Sequence, residues 1–371
     1  MKRIVMTKSA LLSSRCVTVG CGVTGASPKK IEQVKFAKSK NFDSQKGKFQ
    51  NEIPQIEQNL EANNKKLEMA NEYFFSKVET TPKQKLPEKT PDLEEFMRPS
   101  KHIKVIWLGH STFLLRIDGV TILVDPVFSN TASPVSFLVK RFQKPVLKIA
   151  DLPKIDIVVI SHDHYDHLDR ESILGLKDKD LTFVAPLGVG SHLKSWGVNP
   201  EKIIERDWWE SYEAKGIKFT ATPAQHFSGR GLNDRNATLW ASWVIKSQNH
   251  NIYYSGDSGY STHFQEIGEK LGPFDLAFIE CGQYNKRWTQ VHMLPEQAAD
   301  AISDLKAKHA MPVHWGMFEL AMHHWAEPAE RIHKSAQSKG LSLLTPLLGE
   351  LVHLDEHYQS NTWWKKLSND S

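Results

Sequence analysis

Cysteine is scarce in this chain, and long apolar runs are missing. Its 371 residues include three cysteines, Cys16, Cys21 and Cys281, and no CxxC pair. An odd, dispersed set builds neither a disulfide framework nor a cysteine zinc site. Any metal must therefore be held by histidine and carboxylate. No stretch approaches the ~20 consecutive apolar residues that a membrane-spanning helix needs. A basic surface is also lacking over most of the chain. The net charge is +4, yet residues 1–50 alone hold eleven Lys or Arg against Glu32 and Asp43, so the remainder carries more acid than base. That balance argues against nucleic-acid binding. Apolar content of 40% and charged content of 24% fit a soluble globular protein.

The first thirty residues contain Lys2, Arg3, Lys8 and Arg15 and no acid. Arg15 interrupts the apolar core that a secretory signal requires. Residues 1–30 are expected to be a targeting segment of another kind, such as an organelle transit peptide, or a disordered basic tail. The compartment stays open between cytoplasm, a membrane surface, an organelle and the cell envelope. Residues 31–100 read as a polar extension and linker. One helical stretch is expected at 53–77, followed by the Pro-punctuated TPKQKLPEKTPDLEEFMRP. Residues 358–371 read as a C-terminal tail. No internal repeat is visible.

The texture changes near residue 101. IKVIWLG, TFLLRI and VTILVDP are short strands rich in β-branched residues, with a turn at Asp118-Gly119. Further strands are expected at IDIVVIS, LTFVAP, IKFTATPA, LWASWVI, NIYYSGD, FDLAFIE and AMPVHW. Helices are expected at PEQAADAISDLKAK and at EPAERIHKSAQSKG, the latter stopped by Gly340. Strand pairs followed by strand–helix alternation imply a two-sheet α/β core covered by helices, spanning 101–357.

Reactive residue types gather where these strands end, which is where such a scaffold exposes them. SHDHYDHLD, residues 161–169, holds His162, His164, Asp166 and His167. In an extended loop, residues two apart project to one side, so His162 and His164 act together. Four donors in six residues do not converge on one tetrahedral ion, whereas two ions about 3.5–4 Å apart accommodate them. Later strand ends supply His226 in TPAQHFSG, Asp257 in YYSGDSG and His314 in MPVHWG. Asp257 suits a bridge, because a carboxylate has two oxygens. Histidine at 164 favours zinc over redox iron. The other ten histidines apart from His110 and His292 read as ordinary polar residues.

The HxHxDH loop with its later His, Asp and His resembles the metallo-β-lactamase fold superfamily. Within it, the chain is similar to N-acylphosphatidylethanolamine-hydrolysing phospholipase D and bacterial relatives. WLGHSTFLL, LVDPVFSNTASP, LPKIDIVVISHDHYDHLD, DWWE, TPAQHFSGRGLNDRNATLWASWVI, SGDSGY, VHMLPEQA and PVHWGMFELA carry the likeness, with an echo at GKFQN, 47–51. The resemblance implies an αββα sandwich and two zinc ions per chain. One ion would lie on His162, His164 and His226, the other on Asp166, His167 and His314, with Asp257 between them. ECGQYNKRWTQVHM is shorter than the corresponding animal segment, so the substrate groove is expected to differ.

The implied chemistry is hydrolysis of a phospholipid phosphodiester by hydroxide formed on zinc. His292 in QVHMLP is expected to stabilise the phosphoryl group or protonate the leaving alkoxide, making it, with Asp166 and Asp257, a catalytic candidate. Asp125 in LVDP is expected to hold a ligand histidine in one tautomer, and His110 in GHST to line the site. SPVSFLVKRF, residues 133–142, mixes apolar side chains with Lys140 and Arg141 and is a candidate for peripheral membrane contact. Lactone, ester or lactam hydrolysis on the same scaffold is the alternative. A non-enzymatic envelope protein and a homodimeric arrangement also stay open.

Overall fold

The computed structural model describes residues 22–53, 56, 78–354, 358 and 360–369. Ahead of the main body, helix α1 (Lys30–Phe36) precedes the short antiparallel pair β1 (Phe42–Asp43) and β2 (Lys48–Phe49), and helix α2 (Leu93–Met97) follows. The first sheet then forms from β3 (Ile103–Trp107), β4 (Phe113–Ile117), β5 (Val120–Val124), β6 (Ile157–Val159), β7 (Thr182–Pro186) and β8 (Ile203–Arg206). Helices α3 (Arg170–Leu176) and α4 (Gly190–Ser195) lie between these strands. The second sheet comprises β9 (Ser211–Ala214), β10 (Ile217–Thr222), β11 (Ser242–Lys246), β12 (Asn251–Tyr254), β13 (Phe274–Glu280), β14 (Ala307–Val313) and β15 (Ser342–Leu343). It carries helices α5 (His263–Lys270), α6 (Pro295–Asp304) and α7 (Glu327–Lys339). Strand β16 (Leu351–Leu354) returns to the first sheet, and helix α8 (Trp363–Asn369) closes the described chain.

Each main sheet has seven strands, in the orders β16-β3-β4-β5-β6-β7-β8 and β15-β14-β13-β12-β11-β10-β9. The apolar strands anticipated from sequence form their centres, because both of their faces are covered. In β3, Ile103, Val105 and Trp107 face the core between the sheets, while Ile106 faces a second core that includes Ile173 and Leu176 of α3. Phe113 of β4 stacks on Phe278 of β13, with centroids 3.8 Å apart and planes 10° apart, locking one sheet to the other. Burying each such side chain contributes roughly 1.5–3 kcal/mol. Asp118 and Gly119 take positive φ, 45° and 82°, in the two-residue turn between β4 and β5.

The pairing directions decide where function can sit. Strands β5 to β8 run parallel, and so do β12 to β15. Two antiparallel steps make β3 parallel to β5 and β10 parallel to β12. Within each sheet the carboxyl ends of these strands therefore collect along one edge.

Several short elements escape the sequence pattern. Strand β8 is half-buried throughout, β9 is half-buried except for the exposed Glu213, and neither alternates cleanly. Helix α6 ends at Asp304, short of the expected Lys308, because Lys306 turns at φ 56° and β14 begins at Ala307. Helix α7 ends on Gly340 at φ 67°, as anticipated. The helix expected at 53–77 and the basic start at 1–21 lie outside the described residues, apart from Ile53 and Ile56.

Residue 100 marks a change in composition but not the edge of the packed body. Phe36, Phe49 and Leu86 join the inter-sheet core and Phe96 the second core. Nor is the carboxyl segment a loose tail, since Trp363 stacks on Trp315 at 5.3 Å and both rings are buried. Among the described residues, no helix is long and apolar enough to cross a membrane.

Candidate metal centre

Every candidate donor stands just past a strand on the shared edge. β6 leads to the loop of His162, His164, Asp166 and His167, which is turned by bonds from the His167 and Leu168 amides to the His164 carbonyl. His226 follows β10, Asp257 follows β12, and His314 adjoins the end of β14 at φ 65°. Asp163, between the first two histidines, points the opposite way. It accepts from the Gly229 amide at 2.8 Å and from Thr238 Oγ1 at 2.8 Å, and it faces His192 Nε2 at 3.2 Å. Asp169 caps α3 through the Glu171 and Ser172 amides and also accepts from the Phe128 and Ser129 amides.

Two donor groups result. His162, His164, His226 and Asp257 bring one ligand atom each within 4.8 Å of one another, as do His110, Asp166, His167 and His314. In the first group, His164 Nδ1 lies 2.9 Å from His162 Nε2 and 3.2 Å from His226 Nε2. Three nitrogens on one tetrahedral zinc stand about 3.3 Å apart, given Zn–N of about 2.0–2.1 Å. Asp257 joins the groups, with Oδ2 at 3.7 Å and 3.6 Å from His162 and His226 Nε2, and at 3.2 Å from His314 Nε2.

The donors fit a cation on chemical grounds as well. His167 Nε2 and Asp257 Oδ1 are buried without a hydrogen-bond partner, 3.2 Å apart. Orphaned buried polar atoms of this kind are costly unless a proton or a metal satisfies them. Burial, the other histidines and only partial compensation by Asp257 hold His162 and His226 well below the usual histidine range. Burial acts the same way on His167 and His314, but the Asp257 and Asp166 carboxylates override it and raise both well above that range. The second group thus keeps its charge balanced by protons that a metal would displace.

A supporting layer fixes the rings. Asp125 Oδ2 lies 2.7 Å from His167 Nδ1 and accepts the hydroxyls of Ser161 and Tyr254, each at 2.5 Å. His226 Nδ1 lies 3.0 Å from the Val291 carbonyl. His110 Nε2 lies 2.9 Å from Asp166 Oδ2. Burial, with His314 beside it, pushes His110 down to about 3, so a neutral ring orients that carboxylate.

Sequence reasoning passed over Ser161 and Tyr254 in this layer, and also Glu280 and Asn51. Glu280, the last residue of β13, is fully buried, with Oε2 at 3.5 Å from His314 Nδ1 and 3.6 Å from His292 Nδ1. Asn51 bonds to the backbone of His226 from the amino-terminal segment. The acid that ends a strand within FIECG carries little signal in sequence, and Asn51 showed only as the end of the GKFQN echo.

His292 stands at the rim. Its ring lies parallel to His314 at 5.2 Å, and it shares a third group with Asp257 and His314. Gly259 lets its loop approach closely, because an added Cβ would fall 1.9 Å from the Gln290 carbonyl oxygen. Among the described residues, the remaining histidines join no such group, and His357 lies outside them. Loop 133–142 folds back through a bridge between Thr131 and Lys140 and exposes Phe137 and Leu138, at 70% and 46%. A cavity of about 320 Å³ beside them is lined by Lys140, Arg141, Lys144 and Thr131 among others. Arg141 stacks on Phe318, whose ring meets His110 edge-on at 5.2 Å.

Comparison with known proteins places this arrangement. Residues 120–315 match the Beta-lactamase superfamily domain. An uncharacterized protein of Mycobacterium tuberculosis is 43% identical over 271 residues, 72% of this chain and 73% of that one. N-acyl-phosphatidylethanolamine-hydrolyzing phospholipase D 1 of Caenorhabditis elegans is 35% identical over 263 residues, 66% of this chain and 74% of that one. Among solved structures, the metallohydrolase Igni18 of Ignicoccus hospitalis shares the fold, with TM-score 0.53 at 23% identity over 68% of this chain and 98% of that one.

Proposed function

The chain belongs to the metallo-β-lactamase superfamily and is a metallohydrolase, and on that premise we propose that it hydrolyses a phospholipid phosphodiester in the manner of a phospholipase D. The substrate class is N-acylphosphatidylethanolamine or a close relative, the products are phosphatidic acid and an N-acylethanolamine, and the metal is zinc, two ions per chain. The observation that carries the reading is the pair of donor groups abutting across the Asp257 carboxylate. Similarity to the nematode enzyme supports the phosphodiester part.

His162, His164 and His226 would hold one ion and Asp166, His167 and His314 the other, with Asp257 between them. When bound, the metals acidify water to a pKa of about 7 and offset charge gathering on the phosphoryl oxygens. The protein's own groups supply the rest. Asp125, Ser161 and Tyr254 keep His167 in one orientation, and His110 does the same for Asp166. In the reaction, a water oxygen forms a bond to phosphorus and the bond from phosphorus to the ethanolamine oxygen breaks. His292, at the rim, gives a proton to that departing oxygen or donates to a phosphoryl oxygen.

The lipid contact belongs to loop 133–142. Exposed Phe137 and Leu138 suit the acyl boundary, and Lys140 with nearby Lys144 suits phosphate headgroups.

The test is metal analysis of purified protein, then turnover of a phosphodiester, a lactone and a cephalosporin side by side. Phosphodiester hydrolysis by protein containing zinc is expected. Hydrolysis of the lactone alone would overturn the phospholipase reading.

A further inference from the structure

The two backbone groups of His226 are bound by one side chain from the far end of the sequence. Asn51 Oδ1 accepts from the His226 amide at 3.0 Å, and Asn51 Nδ2 donates to the His226 carbonyl at 2.8 Å, across 175 residues. Asn51 itself is buried, at 4% exposure. The pair of bonds acts as one rung of a β-ladder supplied by a side chain, and it fixes both the height and the tilt of the His226 peptide.

The amide is held firmly from behind. Phe49, two residues earlier, donates its amide to the Asn236 carbonyl at 2.8 Å. Its ring is fully buried against Phe36 and Phe42, at 5.3 Å and 4.9 Å. Gln50 donates to the Asn41 carbonyl at 2.8 Å. The same amino-terminal segment touches the other ligand loop. Carbonyls of Val23 and Thr24 accept from Arg230, whose guanidinium also donates to the carbonyls of Asp163 and Leu168 at 2.6 Å and 2.7 Å.

We propose that Asn51 is a positioning residue for the metal centre, one that sets His226 against His162 and His164 and so determines how tightly that donor group holds its cation. His226 is the one histidine of its group that does not come from the β6 loop. Its ring reaches His164 Nδ1 only if its backbone stays where Asn51 puts it. The proposal rests on the metallohydrolase reading.

The experiment compares full-length wild type, Asn51→Leu and Ile332→Ala. The first variant keeps the branched side-chain shape and deletes both hydrogen bonds. The second removes packing beneath α7, away from the centre, and serves as a stability-matched control. Each protein is loaded with zinc alone and dialysed against increasing dipicolinate, and retained zinc is counted. The expected result is that Asn51→Leu loses one equivalent at a chelator strength about 10–100-fold lower than wild type, the usual cost of removing an outer partner of a ligand. The second equivalent should persist, and Ile332→Ala should retain both. If Asn51→Leu keeps both equivalents like wild type and Ile332→Ala, or loses both together, the proposal is wrong while the metal reading stands. Wild type that retains no zinc removes both. Should Asn51→Leu not fold, Asn51→Asp carries the same comparison, since it keeps the acceptor for the His226 amide and loses the donor to its carbonyl.

Discussion

Asp125 Oδ2 stands 2.7 Å from His167 Nδ1, and that single oxygen also accepts two hydroxyls. The contact leaves His167 Nε2 facing Asp257 and Asp166. Asp125→Ala should therefore weaken metal binding about 10–100-fold. It should also destabilise the fold, because each buried donor left without its acceptor costs about 1–3 kcal/mol. Zinc titration and a denaturant midpoint read the two effects separately, and an unchanged zinc affinity would dismiss the orienting role.

His292 lies where a proton donor is useful and outside the two larger donor groups. His292→Ala should lower turnover about 10²–10⁴-fold, the range for loss of one general acid, with zinc content unchanged. Glu280→Gln, which removes the carboxylate beside Nδ1 of both His292 and His314, should cost zinc affinity as well as rate. Full activity in His292→Ala with metal bound would assign the proton to another group.

Acid should destabilise the protein partly through His263. This ring is buried on α5 with Nε2 at 3.1 Å from Ser258 Oγ, and burial pushes it down to about 3. An unfolded histidine titrates near 6.5. The unfolded chain thus binds the extra proton first. The neutral ring's contribution is complete above about pH 6.5 and is lost as pH falls from there toward 3, at up to about 1.4 kcal/mol per pH unit. His263→Gln should flatten that slope in urea unfolding between pH 6.5 and 4. An identical slope in wild type and variant would exclude His263 as its source.

The proposed lipid contact of loop 133–142 can be tested apart from chemistry. Phe137→Ser with Leu138→Ser should reduce partition into vesicles containing anionic phospholipid by at least about tenfold, since burying either side chain is worth roughly 1.5–3 kcal/mol. Turnover of a short, monomeric phosphodiester should stay as in wild type. Equal vesicle binding by the double variant would dismiss loop 133–142 as a membrane contact.

The strands most visible in sequence are those buried on both faces, because packing against two cores makes IKVIW, TILV and FDLAFIE almost continuously apolar. From them the sandwich and the position of SHDHYDHLD follow directly. Edge strands β8, β9, β15 and β16 were not legible, since a strand with a partner on one side need not be apolar. Donors in a strand-end motif could be read one residue at a time. Partners defined only by tertiary approach could not. Asn51 sits in a sequence that gives no local reason for burial, Glu280 only closes the apolar strand FDLAFIE, and their roles exist only once β10 and β14 have been folded beside them. The same holds for Trp363 and Trp364, which look like a tail until Trp315 is placed beneath them.

Candidate ligand atoms at the shared edge come from both walls of the sandwich: His162, His164, Asp166 and His167 from the first sheet, His226, Asp257 and His314 from the second. A cation seated among them is therefore a rivet across the seam. The two walls cannot gape at that end without releasing it, and amide hydrogens flanking the seam on β6 and β14 should exchange more slowly whenever the rivet is in place.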